Sequence, residues 1–554
     1  MTMMRKNILF VCLLAVAMSA TGAAASMLSA ESAAWADSVM SGLTMRERIA
    51  QLFVPRLDIT DNDAGFAQLK KAVQTDGMGG ILLGKGTVES YAALINRAQQ
   101  TAKVPLMVTL DGEWGLSMRV GGTPRFPHNM ALGAAGDEGL LYAYGREMAR
   151  QCRLMGIQVN FAPVLDVNSN PANPVIGYRS FGEDPELVGR LGAAYCRGLL
   201  EGGVLPVGKH FPGHGDTSTD SHKTLPLVGH TVAQLLNADI RPFVTAIEAG
   251  MPSVMVGHLK VPALDPSGTP ASLSYPIITE LLQNQLGFDG LIFTDALAMK
   301  GASREGENNC VSALLAGADV LLGSGSPSAD LAAVEKAVAS GKVTETLINE
   351  RCRKMLQYKY MLGLAKKPKP VDAKAAARQL STAETESLID NMASKAVTVL
   401  RNEGALLPLS GNAKTVVVSI GGTAGDEFLK MIKGRQGVSV FTVPRSGVIP
   451  ASVLSAVKGA DRVVVATGSD SAGAKEAFSE LTKCKTAVGV FFMNPYRAAK
   501  FGGLAGLKSI VMAFDDIPQL RRAAAKVLTG DAGVSGRMPV NVPGLASEGD
   551  GIDL

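Results

Sequence analysis

The stretch Lys209–His222 reads K-H-F-P-G-H-G-D-T-S-T-D-S-H and holds one lysine, three histidines and two aspartates on fourteen residues. Pro212, Gly213 and Gly215 break any helix there, so the stretch reads as a polar loop that carries proton-transferring groups. Three of the chain's six histidines, His210, His214 and His222, fall inside it. Asp220 and His222 stand two residues apart. In an extended segment such residues point the same way. The carboxylate can then accept a hydrogen bond from one ring nitrogen, fix the tautomer and leave the other nitrogen to give or take a proton. This borrows the logic of a hydrolase triad without its serine. A further carboxylate, Asp295, ends the apolar run G-L-I-F-T-D-A-L. There it can serve as an anionic nucleophile opposite the proton donor or, on pattern alone, as the N-cap of a following helix.

Groups so far apart in sequence need a scaffold that gathers strand ends. Eight short apolar runs alternate with helix-like segments: 51–57, 80–83, 105–110, 159–164, 205–208, 253–257, 290–294 and 318–322. Amphipathic stretches such as 138–155 and 276–286 lie between them. Alternation alone also fits an open doubly wound sheet; the count of eight favours an α/β fold of the (β/α)8 TIM-barrel type. Polar residues follow the runs: Asp111, Asp166, Lys209 with His210, His258, Asp295, and Ser324 with Ser326. In a barrel these positions form the C-terminal rim, where active sites lie. A helix cap explains any one of them, but not six strands ending alike.

The barrel domain is expected over 32–365, followed by a polar, Pro-interrupted linker over 366–385 that opens with K-K-P-K-P. Apolar runs then restart at 416–420, 438–443, 462–466, 487–493, 509–514 and 539–542, predicting a smaller α/β sandwich domain over 386–546 with a loose tail at 547–554. With 554 residues, 47% hydrophobic and 19% charged, the chain can bury large cores, and its net charge of +4 is small. No basic stripe with interleaved aromatics is present, so no nucleic-acid partner is expected. Arg5 and Lys6, the apolar run 8–18 and the small residues 21–26 form a secretory signal, expected over 1–25. The run is too short for an ordinary span, and Cys12 lies inside it, so neither a lipid anchor nor a membrane association after cleavage is expected. Cys152, Cys196, Cys310, Cys352 and Cys484 remain, scattered and without C-x-x-C spacing; they read as buried free thiols, with room for one pair.

The loop motif resembles glycoside hydrolase family 3, together with Y-R-S-F-G-E-D-P (Tyr178–Pro185) and T-D-A (Thr294–Ala296). Within that family the D-S-H ending is similar to the NagZ-type β-N-acetylglucosaminidases. Ala393–Leu409 and Ser535–Pro543 resemble the start and end of the family's α/β sandwich. The resemblance implies Asp295 as nucleophile, His222 as acid/base and Asp220 as its partner. It implies that Lys209, His210, Arg179, Asp111 and Arg119 bind the non-reducing N-acetylglucosamine. It implies a secreted or periplasmic retaining exo-β-N-acetylglucosaminidase acting on peptidoglycan or chitin fragments, with carbohydrate as its partner and neither metal nor organic cofactor. Lys209 and His210 are neighbours, and on a regular strand neighbours face apart. Both reach one sugar only if the strand is broken at 209–211.

One departure bears on substrate preference. Where the cytosolic NagZ pattern is D-Q-E-G-G-R, this chain has D-G-E-W-G-L (Asp111–Leu116). Trp114 has two readings, stacking on a sugar or packing. Glu183 and Asp184 read as loop-holding residues before substrate contacts, and His214 as a brace before a catalyst; His128 and His258 stay open. The rival functions are a β-glucosidase or β-xylosidase of the same family, a phosphorylase, a metal site at His210, His214, Asp216 and His222, and a noncatalytic sugar-binding protein. Pro212, Gly213 and Gly215 deny the metal site the helix that an H-x-x-x-H pair needs.

Overall fold

The computed structural model describes residues 28–58, 63–220, 224–302, 306–423, 425–484 and 486–554. The expected secretory signal and His222 lie outside the described residues. The chain divides into two compact units. The first holds the residues up to Pro124, Leu141–Ile176 and Val188–Thr382; the second holds Arg125–Leu140, Gly177–Leu187 and Ala383–Leu554.

The first unit is the barrel. Its eight parallel runs are β1 (53–57), β2 (Gly80–Leu83), β3 (Met107–Leu110), β4 (159–164), β5 (205–211), β6 (Ser253–Val256), β7 (Leu291–Thr294) and β8 (320–322). Arg56 pairs with Leu82, Ile81 with Val108, Leu110 with Asn160, and Val164 with Lys209. Val254 pairs with Gly208, Met255 with Phe293, Phe293 with Val320 and Phe53 with Leu321, which closes the ring. These are the eight runs read from the sequence. Every residue of β2, β3, β6 and β7 is buried, as expected for parallel strands covered on both faces.

Helices α1 (Glu138–Leu154) and α2 (Pro185–Glu201) approach backbone to backbone through Gly145 and Gly198. A Cβ on Gly145 would lie 2.4 Å from the Tyr195 carbonyl, and one on Gly198 2.2 Å from that of Tyr142. Helix α3 (Glu345–Met361) crosses the opposite end of the barrel from the strand C-termini. There Lys354 Nζ donates to the Gly290 carbonyl at 2.6 Å, Tyr358 to the Pro252 carbonyl at 3.0 Å, and Lys359 Nζ to Gln51 Oε1 at 2.7 Å.

The expected linker is more ordered than its composition suggests. Val371 and Asn96 exchange two hydrogen bonds, at 2.7 and 2.9 Å, and Asp372 caps a helix α4 (Ala373–Leu380). The prolines stop at 370, and the Ala-rich stretch beyond them is a good helix former.

The second unit is built on a six-stranded sheet. Its strands are β9 (Thr398–Asn402), β10 (Thr415–Ile420), β11 (Val438–Val443), β12 (Arg462–Thr467), β13 (Ala487–Phe491) and β14 (Ser509–Met512), in the order β9-β14-β13-β12-β10-β11. Only β9 runs antiparallel, against β14. Two expectations are corrected here. Residues 539–542 do not join the sheet: Pro539 has no N–H to give, its carbonyl takes the Glu183 N–H at 2.9 Å, and the Asn541 N–H goes to the Glu183 side chain at 2.8 Å. The tail is tied rather than loose, with the Ile552 N–H on the Val399 carbonyl at 2.9 Å and Met538 exchanging 2.8 Å bonds with Gly549 and Asp550. All five cysteines among the described residues are free thiols, and only Cys484 is not fully buried.

Candidate active site

The C-terminal rim of the barrel gathers side chains from β3, β5, β6 and β7. Asp111 is the first residue past β3, and two cations grip its two oxygens. Lys209 Nζ lies 3.0 Å from Oδ1, and Arg119 Nη2 lies 2.9 Å from Oδ2. Burial alone would raise the Asp111 pKa, but Lys209 and Arg119 bring it down to about 2. Lys209 is only 2% exposed and also meets Glu113 Oε1 at 2.8 Å. One buried ammonium therefore joins two carboxylates.

The strand is broken where the neighbours Lys209 and His210 had to share a face. Met255 of β6 pairs with Lys209 and Val256 with Phe211, so the register steps over His210. The Lys209–His210 peptide bond is cis. Both side chains are buried within electrostatic reach of Asp295. The His210 ring is held by Asp166, whose Oδ2 lies 2.7 Å from Nδ1. The other oxygen of Asp166 accepts the His210 N–H at 3.2 Å and the His214 N–H at 2.7 Å. Burial pushes the Asp166 carboxyl up, but His210, His214 and these bonds outweigh it and hold it below the usual range.

Asp295 follows β7, with its N–H on the Val256 carbonyl at 2.9 Å. No α-helix begins there; the next described element is a single 3-10 turn at Lys300–Ala302, so the N-cap reading fails. Its carboxylate accepts the Ala296 N–H at 2.7 Å. Burial opposes its ionisation, yet His258, His210, the Ala296 N–H and Lys209 together hold its pKa below the ordinary value. His258 is fully buried beside it, with Nδ1 2.6 Å from Ser272 Oγ and Nε2 2.9 Å from the Ala296 carbonyl. Nε2 faces a carbonyl, so it carries the proton.

The loop after β5 is seated on main chain. A Cβ on Gly215 would lie 1.6 Å from the Val167 carbonyl, and Gly213, at φ +132°, backs onto Asp239. Asn173 Nδ2 donates to the His214 and Gly215 carbonyls at 2.8 and 2.9 Å. His214 Nδ1 lies 2.7 Å from Thr217 Oγ1 within the same loop. His230 ties the loop sideways, with Nε2 3.2 Å from Asp216 and Nδ1 2.7 Å from the buried Asp239. Asp220 is half-buried, and its carbonyl accepts the Thr224 N–H at 3.1 Å. Its expected partner, His222, lies outside the described residues.

Arg179 belongs to the second unit, where its carbonyl accepts from Asn129 Nδ2 at 2.6 Å. Glu183 holds the 539–542 segment of that unit, and Asp184 caps the start of α2 through the Glu186 and Leu187 N–H groups at 2.9 and 3.2 Å. His128 of the same unit pairs with Asp515 at 3.1 Å. Trp114 is half-buried.

Sequence reasoning brought Asp111, Arg119, Lys209, His210 and Asp295 to one rim. It gave no role to Glu113 or Asp166, although both stand just beyond a strand end, nor to the His230–Asp239 pair, which no spacing marks.

A family model described as the glycosyl hydrolase family 3 N terminal domain matches residues 44–358. "Beta-hexosaminidase A" of Pseudoalteromonas piscicida is 38% identical over 260 residues, or 43% of this chain and 44% of that one; the match spans less than half of that relative's length. A "Beta-hexosaminidase" of Chromobacterium violaceum is 35% identical over 284 residues, 49% of this chain and 79% of that one. The structure of a glycoside hydrolase family 3 β-N-acetylglucosaminidase from Paenibacillus sp. str. FPU-7 superposes with a TM-score of 0.77 at 31% identity, covering 90% of this chain and 99% of that one. With the barrel complete, its rim charged in this pattern and the family model matching more than half of the sequence, the chain belongs to glycosyl hydrolase family 3.

Proposed function

We propose that this enzyme is a retaining exo-β-N-acetylglucosaminidase that releases terminal non-reducing N-acetylglucosamine from peptidoglycan or chitin fragments. The observation that carries the reading is the half-buried Asp295 carboxylate, whose ionised form is favoured by His258, His210 and Lys209 at the barrel mouth. The relatives named β-hexosaminidase and the β-N-acetylglucosaminidase structure support the substrate class.

In this mechanism Asp111, Arg119, Lys209 and His210 grip the hydroxyls of the sugar. Asp295 attacks the anomeric carbon as His222, oriented by Asp220, gives its proton to the leaving oxygen. The C–O bond to the aglycone breaks and a glycosyl-Asp295 ester forms. His222 then takes a proton from water, which attacks the same carbon and frees Asp295. Retention follows from the two inversions. The basic and apolar N-terminal residues support secretion or a periplasmic location, and with it a place in peptidoglycan recycling.

The test is hydrolysis of a panel of aryl N-acetyl-β-glucosaminides, β-glucosides and β-xylosides, with and without inorganic phosphate. Preferred release of N-acetylglucosamine supports the reading. Preference for the glucoside or xyloside, or formation of a sugar 1-phosphate, would replace it with a rival.

A further inference from the structure

We propose that Asp166 is a positioning residue that sets the hydrogen-bond polarity of His210, holding the neutral imidazole in its Nδ1–H tautomer so that Nε2 meets a substrate hydroxyl as an acceptor. The proposal rests on reading the rim as a sugar site, and it adds which way the His210 hydrogen bond runs.

The argument is a count of donors. Asp166 is fully buried just past β4. One of its oxygens takes two backbone N–H groups, those of His210 at 3.2 Å and His214 at 2.7 Å. The other lies 2.7 Å from His210 Nδ1. An ionised carboxylate only accepts, so the ring nitrogen that faces it must donate. A neutral ring has one N–H, which leaves a lone pair on Nε2. Lys209, the adjacent residue, can only donate. The two neighbours thus present opposite polarities, which suits a hydroxyl, a group that both donates and accepts. An ether oxygen or a fluorine accepts but cannot donate. Asp166 also fastens the root of the catalytic loop at His214, so one carboxylate sets both the ring and the loop.

Asp166→Asn separates polarity from shape. The amide oxygen must stay with the two backbone N–H groups, because only an acceptor satisfies them. The NH2 group then faces Nδ1, which must become an acceptor, and the proton moves to Nε2. The ring keeps its place while its polarity inverts.

The experiment is a long-range 1H–15N correlation spectrum of the full-length chain labelled with 15N-histidine at pH 8, with the His210 signals assigned by their loss in His210→Gln. The wild type is expected as Nδ1–H and Asp166→Asn as Nε2–H. In parallel, kcat/KM is measured for wild type on aryl N-acetylglucosaminides with one ring hydroxyl at a time replaced by fluorine. One position should lose at least about tenfold, and this penalty should shrink in Asp166→Asn. A wild-type ring that is Nε2–H or doubly protonated at pH 8 overturns the proposal. So does an unchanged tautomer in the variant, or a wild type indifferent to fluorine at every position. If Asp166→Asn does not fold, the two wild-type measurements still decide. The spectrum needs no substrate, so failure of the sugar reading shows separately, as absent N-acetylglucosaminide turnover.

Discussion

Lys209 Nζ stands 3.0 Å from Asp111 Oδ1, so an ammonium from β5 and a carboxylate from the end of β3 are paired across the strand between them. The same ammonium holds Glu113 at 2.8 Å. Removing it leaves two acids facing each other with little solvent. Lys209→Met should destabilise the fold by about 3–5 kcal/mol, the range for breaking a buried ion pair, and lower kcat/KM far more than that loss of folded protein explains. Chemical denaturation and steady-state kinetics on the folded fraction check this. Lys209→Met with Glu113→Gln should recover part of the stability and none of the activity.

In the proposed mechanism Asp295 is the nucleophile. Asp295→Ala should keep the fold and lose turnover by several orders of magnitude. Circular dichroism and an aryl N-acetylglucosaminide assay decide; a folded variant with near-normal turnover removes Asp295 from the mechanism.

If His222 protonates the leaving group, His222→Ala should suffer most with leaving groups of high pKa, because activated aryl groups need little proton assistance. Asp220→Asn should slow the same step by loosening the ring's orientation. Pre-steady-state rates of the first step on a leaving-group series test both; equal losses across the series reject His222 as the acid.

The pH profile follows from the electrostatics. Asp295 and Asp111 act ionised, and both have carboxyls held below the ordinary value, Asp111 at about 2. A depressed acid keeps its charge until the pH falls through its lowered pKa. The acid limb of kcat/KM should therefore lie below about pH 4, the unperturbed Asp value, measured over the range where the fold survives. A limb centred near pH 6 contradicts this.

Lys359 gives a stability signature of the same sense in a higher pH window. Burial lowers its pKa to about 7, while the unfolded chain keeps the ordinary lysine value. Between those two values the unfolded state binds more protons, so this group raises stability as pH rises from about 7 towards 10, by at most about 1.4 kcal/mol per pH unit. Denaturation of wild type and Lys359→Met at pH 7 and pH 9 tests it. The variant should lose this part of the rise, whatever its absolute stability.

The barrel was legible because its strands are covered on both faces and stand in the sequence as unbroken apolar runs. The C-terminal edge strand Thr398–Asn402 was not: its last three residues are half-buried, and T-V-L-R-N lacks such a run. The segment at 539–542 is apolar enough to mimic a strand, yet its partners are Glu183 atoms more than three hundred residues away. The candidate site divides the same way. Asp295 and Asp111 announce themselves by ending strands. The Asp166–His210 bond joins residues 44 apart, and only the register of β4 against β5 brings them together. Glu113 carries no periodic mark, and its role appears only when Lys209 is found between it and Asp111.

The seating of the loop after β5 on Val167 and Asp239 has a consequence for transplanting it. From Phe211 to Gly215 the loop is buried main chain against main chain, whereas Ser218 and Thr219 face solvent. Moved alone into another barrel, the loop would arrive without the surfaces that shape its root. A functional graft must carry the segments around Val167 and His230–Asp239 along with it. Variation in length or composition belongs at Ser218 and Thr219, where a new side chain meets water instead of a carbonyl.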